Sequence, residues 1–273
     1  MTVAAVNRID RLFEDRSRKR FIPFITVGDP TLEATYQLAH AMVEAGADLI
    51  ELGIPYSDPL ADGPTIQRAS QRALANNISI IDALQLVKRL RDSGMEASLV
   101  LFSYFNPVLQ YGVERFFADL ATYGADGVVI PDLPIEENGP AVEAAKKNGI
   151  HVISLVAPTS ESRIQTIGEQ ATGFLYCVSS LGVTGARASL REDLSDFLSR
   201  VKASTKVPTA VGFGISTPEQ VKAVAPHTDG VIVGSAIVLE IERHEEQLRD
   251  PAQSEEAVAK IKTFVQQLAS ALQ

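Results

Sequence analysis

The sequence predicts a closed (β/α)8 barrel, and three observations carry that prediction. Eight short apolar runs rich in β-branched residues recur along the chain, each followed by a Gly- or Pro-rich turn and then a stretch with helical periodicity. The runs are almost continuously apolar, as in a parallel sheet covered on both faces. The length, 273 residues with 45% hydrophobic, suits one barrel of about 250 residues. An open eight-stranded sheet is the alternative that unit count leaves.

The elements follow in order. Val3, Val6, Ile9, Leu12 and Phe13 stand at helical spacing, so residues 3–13 are expected to form an additional N-terminal helix across the bottom of the barrel. The strand runs are FIPFITV (21–27), LIELGI (49–54), SLVLFSY (98–104), GVVIPDL (127–133), HVISLV (151–156), FLYCVSS (174–180), VPTAVGF (207–213) and GVIVGS (230–235). Between them TLEATYQLAHAMVEAG (31–46), SIIDALQLVKRLRDSG (79–94) and TPEQVKAVAP (217–226) are amphipathic. SEEAVAKIKTFVQQLASAL (254–272) reads as the last outer helix. No linker or low-complexity segment divides the chain, so residues 1–273 are expected to form one domain.

A net charge of −9 and a pI near 5.0 argue against nucleic acid or an acidic membrane as partner. A small anion remains open, because a cradle of backbone N–H groups suffices to hold it. The lone Cys177 forms no intramolecular disulfide and suggests a reducing compartment. The N-terminus is charged too early for a secretory signal, and no apolar run approaches the roughly 18 residues of a membrane helix. A cytoplasmic protein is expected.

In such a barrel the chemistry sits at the C-terminal ends of the strands. In LIELG, alternation sends Ile50 and Leu52 to one face and Leu49, Glu51 and Gly53 to the other. The apolar pair suits the helix-covered outside, so Glu51 points into the barrel near its mouth. A carboxylate there needs an ionic partner or a raised pKa, and the eight runs offer no inward Lys or Arg. Asp62 lies in the loop after the same strand, stiffened by Pro55, Pro59 and Pro64. Two readings fit it: a turn or helix-start aspartate, or the second member of an acid–base pair with Glu51. The last three strands lead into SLGVTG (180–185), GFGIST (212–217) and Gly234–Ser235. Glycines there let backbone N–H groups approach an anion, in the usual place for a phosphate in barrels. The four histidines are scattered without metal-ligand spacing, so no metal is expected. No lysine stands at a strand end for a Schiff base, and Cys177 lies mid-strand as a small core residue.

ELGIPYSDPLADGPTIQ closely resembles the signature of the tryptophan synthase alpha chain family. FIPFITVGDP, YFNP, VVIPDLPIEE, FLYCVSSLGVTGAR and AVGFGIST followed by VIVGSAIV resemble that family in the same order. The resemblance implies retro-aldol cleavage of indole-3-glycerol phosphate to indole and glyceraldehyde 3-phosphate, with no metal or organic cofactor. It implies that Glu51 moves a proton at indole C3 and that Asp62 meets the indole N–H. It further implies that Phe24, Tyr176 and Phe213 line the substrate pocket. Gly185, Gly214, Gly234 and Ser235 would hold the phosphate, and Thr184 would lie in a closing loop. A beta chain that takes up the indole would contact Pro55, Asp58, Asn106 and Pro134, in an alpha2beta2 heterotetramer. Phe174, Ser180 and Leu181 depart from some members and are expected to affect the pocket lining. A stand-alone lyase and a non-catalytic subunit that only activates a beta chain stay open. An indole-3-glycerol phosphate synthase is disfavoured, because it would be expected to offer a strand-end lysine.

Overall fold

The structure, a computed structural model, describes residues 6–179, 189–212 and 214–272, the side chains of 161 and 189–193 excepted. Among the described residues nine strands pair in parallel: β1 (Arg20–Thr26), β2 (Leu49–Gly53), β3 (Ser98–Phe102), β4 (Gly127–Val129), β5 (His151–Ile153), β6 (Leu155–Val156), β7 (Leu175–Val178), β8 (Thr209–Gly212) and β9 (Gly230–Val233). The ninth strand comes from the fifth run. Its first half, β5, pairs with β4, and its second half, β6, pairs with β7. Only Ser154 separates them, and its carbonyl accepts from the Tyr176 N–H at 2.9 Å. The order β5-β4-β3-β2-β1-β9-β8-β7-β6 therefore closes on one stretch of chain, which makes a barrel and removes the open-sheet alternative.

Most runs stop earlier than expected, the fourth by the most. The third ends at Phe102 and the fourth at Val129. After Val129 the chain turns, with the Leu133 N–H donating to Ile130 O at 3.2 Å, and Pro131 has no N–H to extend a ladder.

Alternation sorts the side chains into two layers. Ile22, Phe24, Leu49, Val100 and Ile232 fill the barrel, while Phe21, Ile25, Ile50, Leu52 and Val231 pack outward under the helices. The helices begin where the sequence supplies caps. Thr31 accepts from the Ala34 N–H at 3.0 Å before the helix Leu32–Glu44. Asp82 accepts from the Ser79 N–H at 2.9 Å ahead of Ile80–Asp92. Thr217 and Gln220 form a reciprocal box at Pro218–Val224. The final helix is Ser254–Ser270.

The barrel's bottom is plugged by the short helix Arg8–Leu12, capped by Asn7. Ile9 and Phe13 are buried in the inner layer. Gly127 leaves room for this, since a Cβ there would stand 3.1 Å from Ile9 Cδ1. Phe13 packs on Phe174 with ring centroids 5.9 Å apart. This corrects the expectation for Phe174: it precedes β7, so parallel pairing puts it at the bottom, away from the mouth. Among the described residues no helix is long and apolar enough to cross a membrane.

Candidate active site

Glu51 is the middle residue of β2, in register with Phe24 of β1 and Val100 of β3, both inward-facing. It is fully buried, and neither carboxylate oxygen has a hydrogen-bond partner among the described residues. The ion-pair reading therefore fails. The buried arginine of β1, Arg20, starts that strand at the bottom, donating to Asp15 O at 2.9 Å and lying 3.7 Å from Asp48. With no partner to offset the loss of water, burial pushes the Glu51 carboxyl up to about 8.

Small residues at the strand ends make room for rings around this group. A Cβ on Gly53 would stand 2.5 Å from Phe24 Cζ, and one on Gly212 would stand 2.7 Å from the Tyr176 hydroxyl. Phe24 meets Phe102 edge-on, centroids 5.7 Å apart. Tyr176 is buried, and its hydroxyl is pushed upward by burial first and then by the charges of Glu51 and Asp62. Phe24 and Tyr176 both belong to the inner layer of the barrel.

Asp62 is half-buried in the loop between β2 and the helix Pro64–Ala75. The helix-start reading does not hold for its carboxylate: Gly63 is the cap residue and no side chain bonds the first turn. Instead the Tyr104 hydroxyl donates to the Asp62 carboxylate and accepts from the Ala61 N–H at 2.9 Å. Burial outweighs that bond and raises Asp62 to about 6. Tyr104 was not singled out from the sequence, although alternation offered the signal. In SLVLFSY it shares parity with Val100 and Phe102, both inward. A cavity of ≈ 520 Å³ lies beside Ala61, lined by Pro131, Asp132, Leu155, Arg163 and Val178, and neither carboxyl of the pair is among its lining residues.

Gly234 caps the helix Ser235–Arg243, its carbonyl accepting from the N–H groups of Ile237 and Val238 at 2.9 and 3.0 Å. Helix geometry leaves the N–H groups of Ser235 and Ala236 without an intrahelical acceptor, and this end suits an anion. Gly234 also packs against Phe24, since a Cβ there would stand 3.4 Å from Phe24 Cβ. Gly214 is exposed with φ +75°, a conformation that favours glycine. Thr184, Gly185 and Phe213, like Ser180 and Leu181, lie outside the described residues.

Of the four positions that the resemblance assigned to a partner surface, Asp58, Asn106 and Pro134 are exposed and Pro55 is buried. Pro55 and Asp58 lie in the loop after β2, Asn106 in the first turn of the helix Phe105–Tyr111 that follows β3, and Pro134 in the loop after β4. Asn106 Nδ2 donates to the Tyr56 hydroxyl at 3.1 Å, and Tyr56 packs against Tyr104 with centroids 5.2 Å apart. Leu60, in the loop after β2, has 91% of its surface exposed. Cys177 is buried in β7 and its thiol is pushed up to about 12 by burial. Among the described residues no three His, Cys, Asp or Glu side chains cluster as metal ligands.

A family model described as the tryptophan synthase alpha chain matches residues 11–273. The chain belongs to that family. A tryptophan synthase alpha chain of Geobacillus stearothermophilus is 55% identical over 252 residues, spanning 92% of this chain and 94% of its own. Among solved structures, tryptophan synthase subunit alpha from Legionella pneumophila str. Paris superposes with a TM-score of 0.88 at 38% identity, covering 98% of this chain and 99% of that one. A chain of tryptophan synthase from M. tuberculosis in its aminoacrylate-bound form gives 0.83 at 32% identity, covering 98% of this chain and 100% of its own. Membership in the tryptophan synthase alpha chain family thus rests on nearly the whole barrel, including β2, which carries Glu51, and β9, which leads to Gly234.

Proposed function

We infer that Glu51 and Asp62 are the acid–base pair with which this chain cleaves indole-3-glycerol phosphate to indole and glyceraldehyde 3-phosphate. The observation that carries the assignment is Glu51 itself, a fully buried carboxyl with both oxygens unpaired among the described residues. At pH 7 a group raised to about 8 holds its proton, while one raised only to about 6 is ionised. The pair is thereby set for opposite roles.

Glu51 gives its proton to C3 of the indole, which makes the ring an electron sink. The Glu51 carboxylate left behind then takes the proton of the C3′ hydroxyl as the C3–C3′ bond breaks, and the electron pair of that bond returns to the ring. The aldehyde and indole are the two products. Asp62, ionised and held by Tyr104, offsets the positive charge that the indole nitrogen gains when C3 is protonated. Phe24 and Tyr176 take the ring, assisted by Phe213. The phosphate binds at the start of the helix Ser235–Arg243, with Gly234, Ser235 and Gly214, and with Gly185 and Thr184 from the loop after β7. No metal or cofactor enters this scheme.

The segments after β2, β3 and β4 that carry Pro55, Asp58, Asn106 and Pro134 form the surface for a beta chain, which receives the indole in an alpha2beta2 complex. Leu60 supports that reading, because so exposed a leucine among polar loops suits a covering partner. A single-domain protein acting in the cytoplasm, in tryptophan biosynthesis, completes the reading.

The test is indole release from indole-3-glycerol phosphate by the purified chain, with and without a tryptophan synthase beta chain. Slow release alone and strong stimulation by the partner are expected. Fast release alone would indicate a stand-alone lyase, and no release in either condition would indicate a subunit that only activates its partner.

A further inference from the structure

Arg72 connects three elements that carry different parts of the site, yet it lines no part of the pocket. It lies on the helix Pro64–Ala75, which begins two residues after Asp62. Its Nε and Nη2 donate to the two oxygens of Asp29 at 2.7 and 3.0 Å, and its Nη1 donates to Glu242 at 2.7 Å. Asp29 is buried in the loop after β1, the strand of Phe24. Glu242 lies in the last turn of the helix that starts at Ser235. One turn before Arg72, Arg68 also forks onto Glu242, with both bonds at 2.7 Å. At the far end of the same helix, Asn76 donates to Pro30 O at 2.7 Å.

The two helices also touch through apolar groups, Ile66 and Ala69 lying in one cluster with Val238. Apolar contact is non-directional and leaves sliding along the helix axes weakly opposed. Forked, charge-assisted bonds fix position as well as distance. Apolar residues of equal volume would hold such helices together as firmly, so stability alone gives no reason for this set of charges. The substrate does, because it spans from the indole end at Asp62 to the phosphate end at Ser235.

We propose that Arg72 and Arg68, with Glu242 and Asp29, are positioning residues that fix the spacing between Asp62 and the phosphate-binding helix start. The proposal rests on the roles given above to Asp62 and to Gly234–Ser235. A misplacement near 1 Å at a reacting group costs on the order of 100-fold in rate, so a partial loosening is expected to cost less.

The test uses the full chain with a saturating beta chain. Glu242→Gln keeps the shape but loses the charge that both arginines share, and leaves Asp29 paired. Its kcat and KM are measured for indole-3-glycerol phosphate, together with inhibition by glycerol 3-phosphate, which reports on the phosphate end alone. The expected result is a kcat lowered about tenfold, an inhibition constant changed less than twofold, and a circular dichroism spectrum and melting point that show a folded chain. A folded variant with kcat within about twofold of the parent overturns the proposal. So does an inhibition constant that rises in step with the fall in kcat, since the effect would then lie in the phosphate helix by itself. Arg68→Gln, at the more exposed end of the network, decides the matter if Glu242→Gln does not fold: a smaller loss of kcat with unchanged inhibition supports the proposal, and no loss overturns it. Asp62→Asn assayed alongside keeps the two ideas apart, because full activity there would remove Asp62 from the mechanism whatever the network variants do.

Discussion

A carboxyl without water or a partner is costly as an anion, and the chain retains Glu51 in that state at the centre of its barrel mouth. The consequence for stability has a definite sign. The ordinary value is 4.5 and the folded value is about 8, so between those limits the unfolded chain carries the anion while the folded chain keeps the proton. The contribution of Glu51 to stability is therefore complete below about 4.5 and is lost as pH rises through about 8, on the order of 1 kcal/mol per pH unit. Glu51→Gln lacks this slope. Urea midpoints of the two chains from pH 5 to 7.5 are expected to diverge in favour of glutamine as pH rises, and parallel curves would show that Glu51 is not held neutral. Asp62 stands in contrast: half in water and bonded by Tyr104, it is raised only to about 6. The separation between the two carboxyls arises from local burial rather than from residue type.

At the scale of strands and helices, the ends of β1 and β2 show how backbone and pocket are fitted. Gly53 ends β2 where the ring of Phe24 crosses it, with a would-be Cβ 2.5 Å from Cζ and 2.8 Å from Cε2. Gly53→Ala is expected to displace that ring, lowering stability by about 1–3 kcal/mol and raising KM. Thermal melts and substrate titration check this, and an unchanged KM would mean that Phe24 does not wall the substrate site. Much at this scale was legible in the sequence. The parity of Leu49–Gly53 placed Glu51 inside, and Thr31, Ser79 and Thr217 announced helix starts. The rest depends on information that local pattern does not hold. The break at Ser154 reflects a change of hydrogen-bonding neighbour, from β4 to β7. Phe174 needed the strand direction to be placed at the bottom, and Arg72 with Asp29 is a pair separated by 43 residues. Tyr104 was within reach of the alternation rule, but its bonds to Ala61 and Asp62 were not, because they follow from how the loops after β2 and β3 fold over one another.

The closed barrel as a whole brings the two ends of the site together. β1 pairs with β2 on one side and with β9 on the other, so the strand of Glu51 and the strand leading to Gly234 flank the strand of Phe24. Closure through β5 and β6 returns β7, with Tyr176, to the same mouth. The bottom is occupied by Ile9 and Phe13, which leaves the C-terminal ends of the strands as the place where a substrate enters. The loops after β2, β3 and β4 then lie at the rim, where Asp62 and the surface proposed for the beta chain share a set of tyrosines. The proposed mechanism puts a single proton, that of Glu51, at the centre of the chemistry. The most direct measurement is the rate of indole release by Glu51→Gln with a saturating beta chain at pH 7, on a variant shown to be folded. The account predicts a kcat reduced by about 10²–10⁴-fold with substrate affinity largely kept; a kcat within a few-fold of the parent would contradict it.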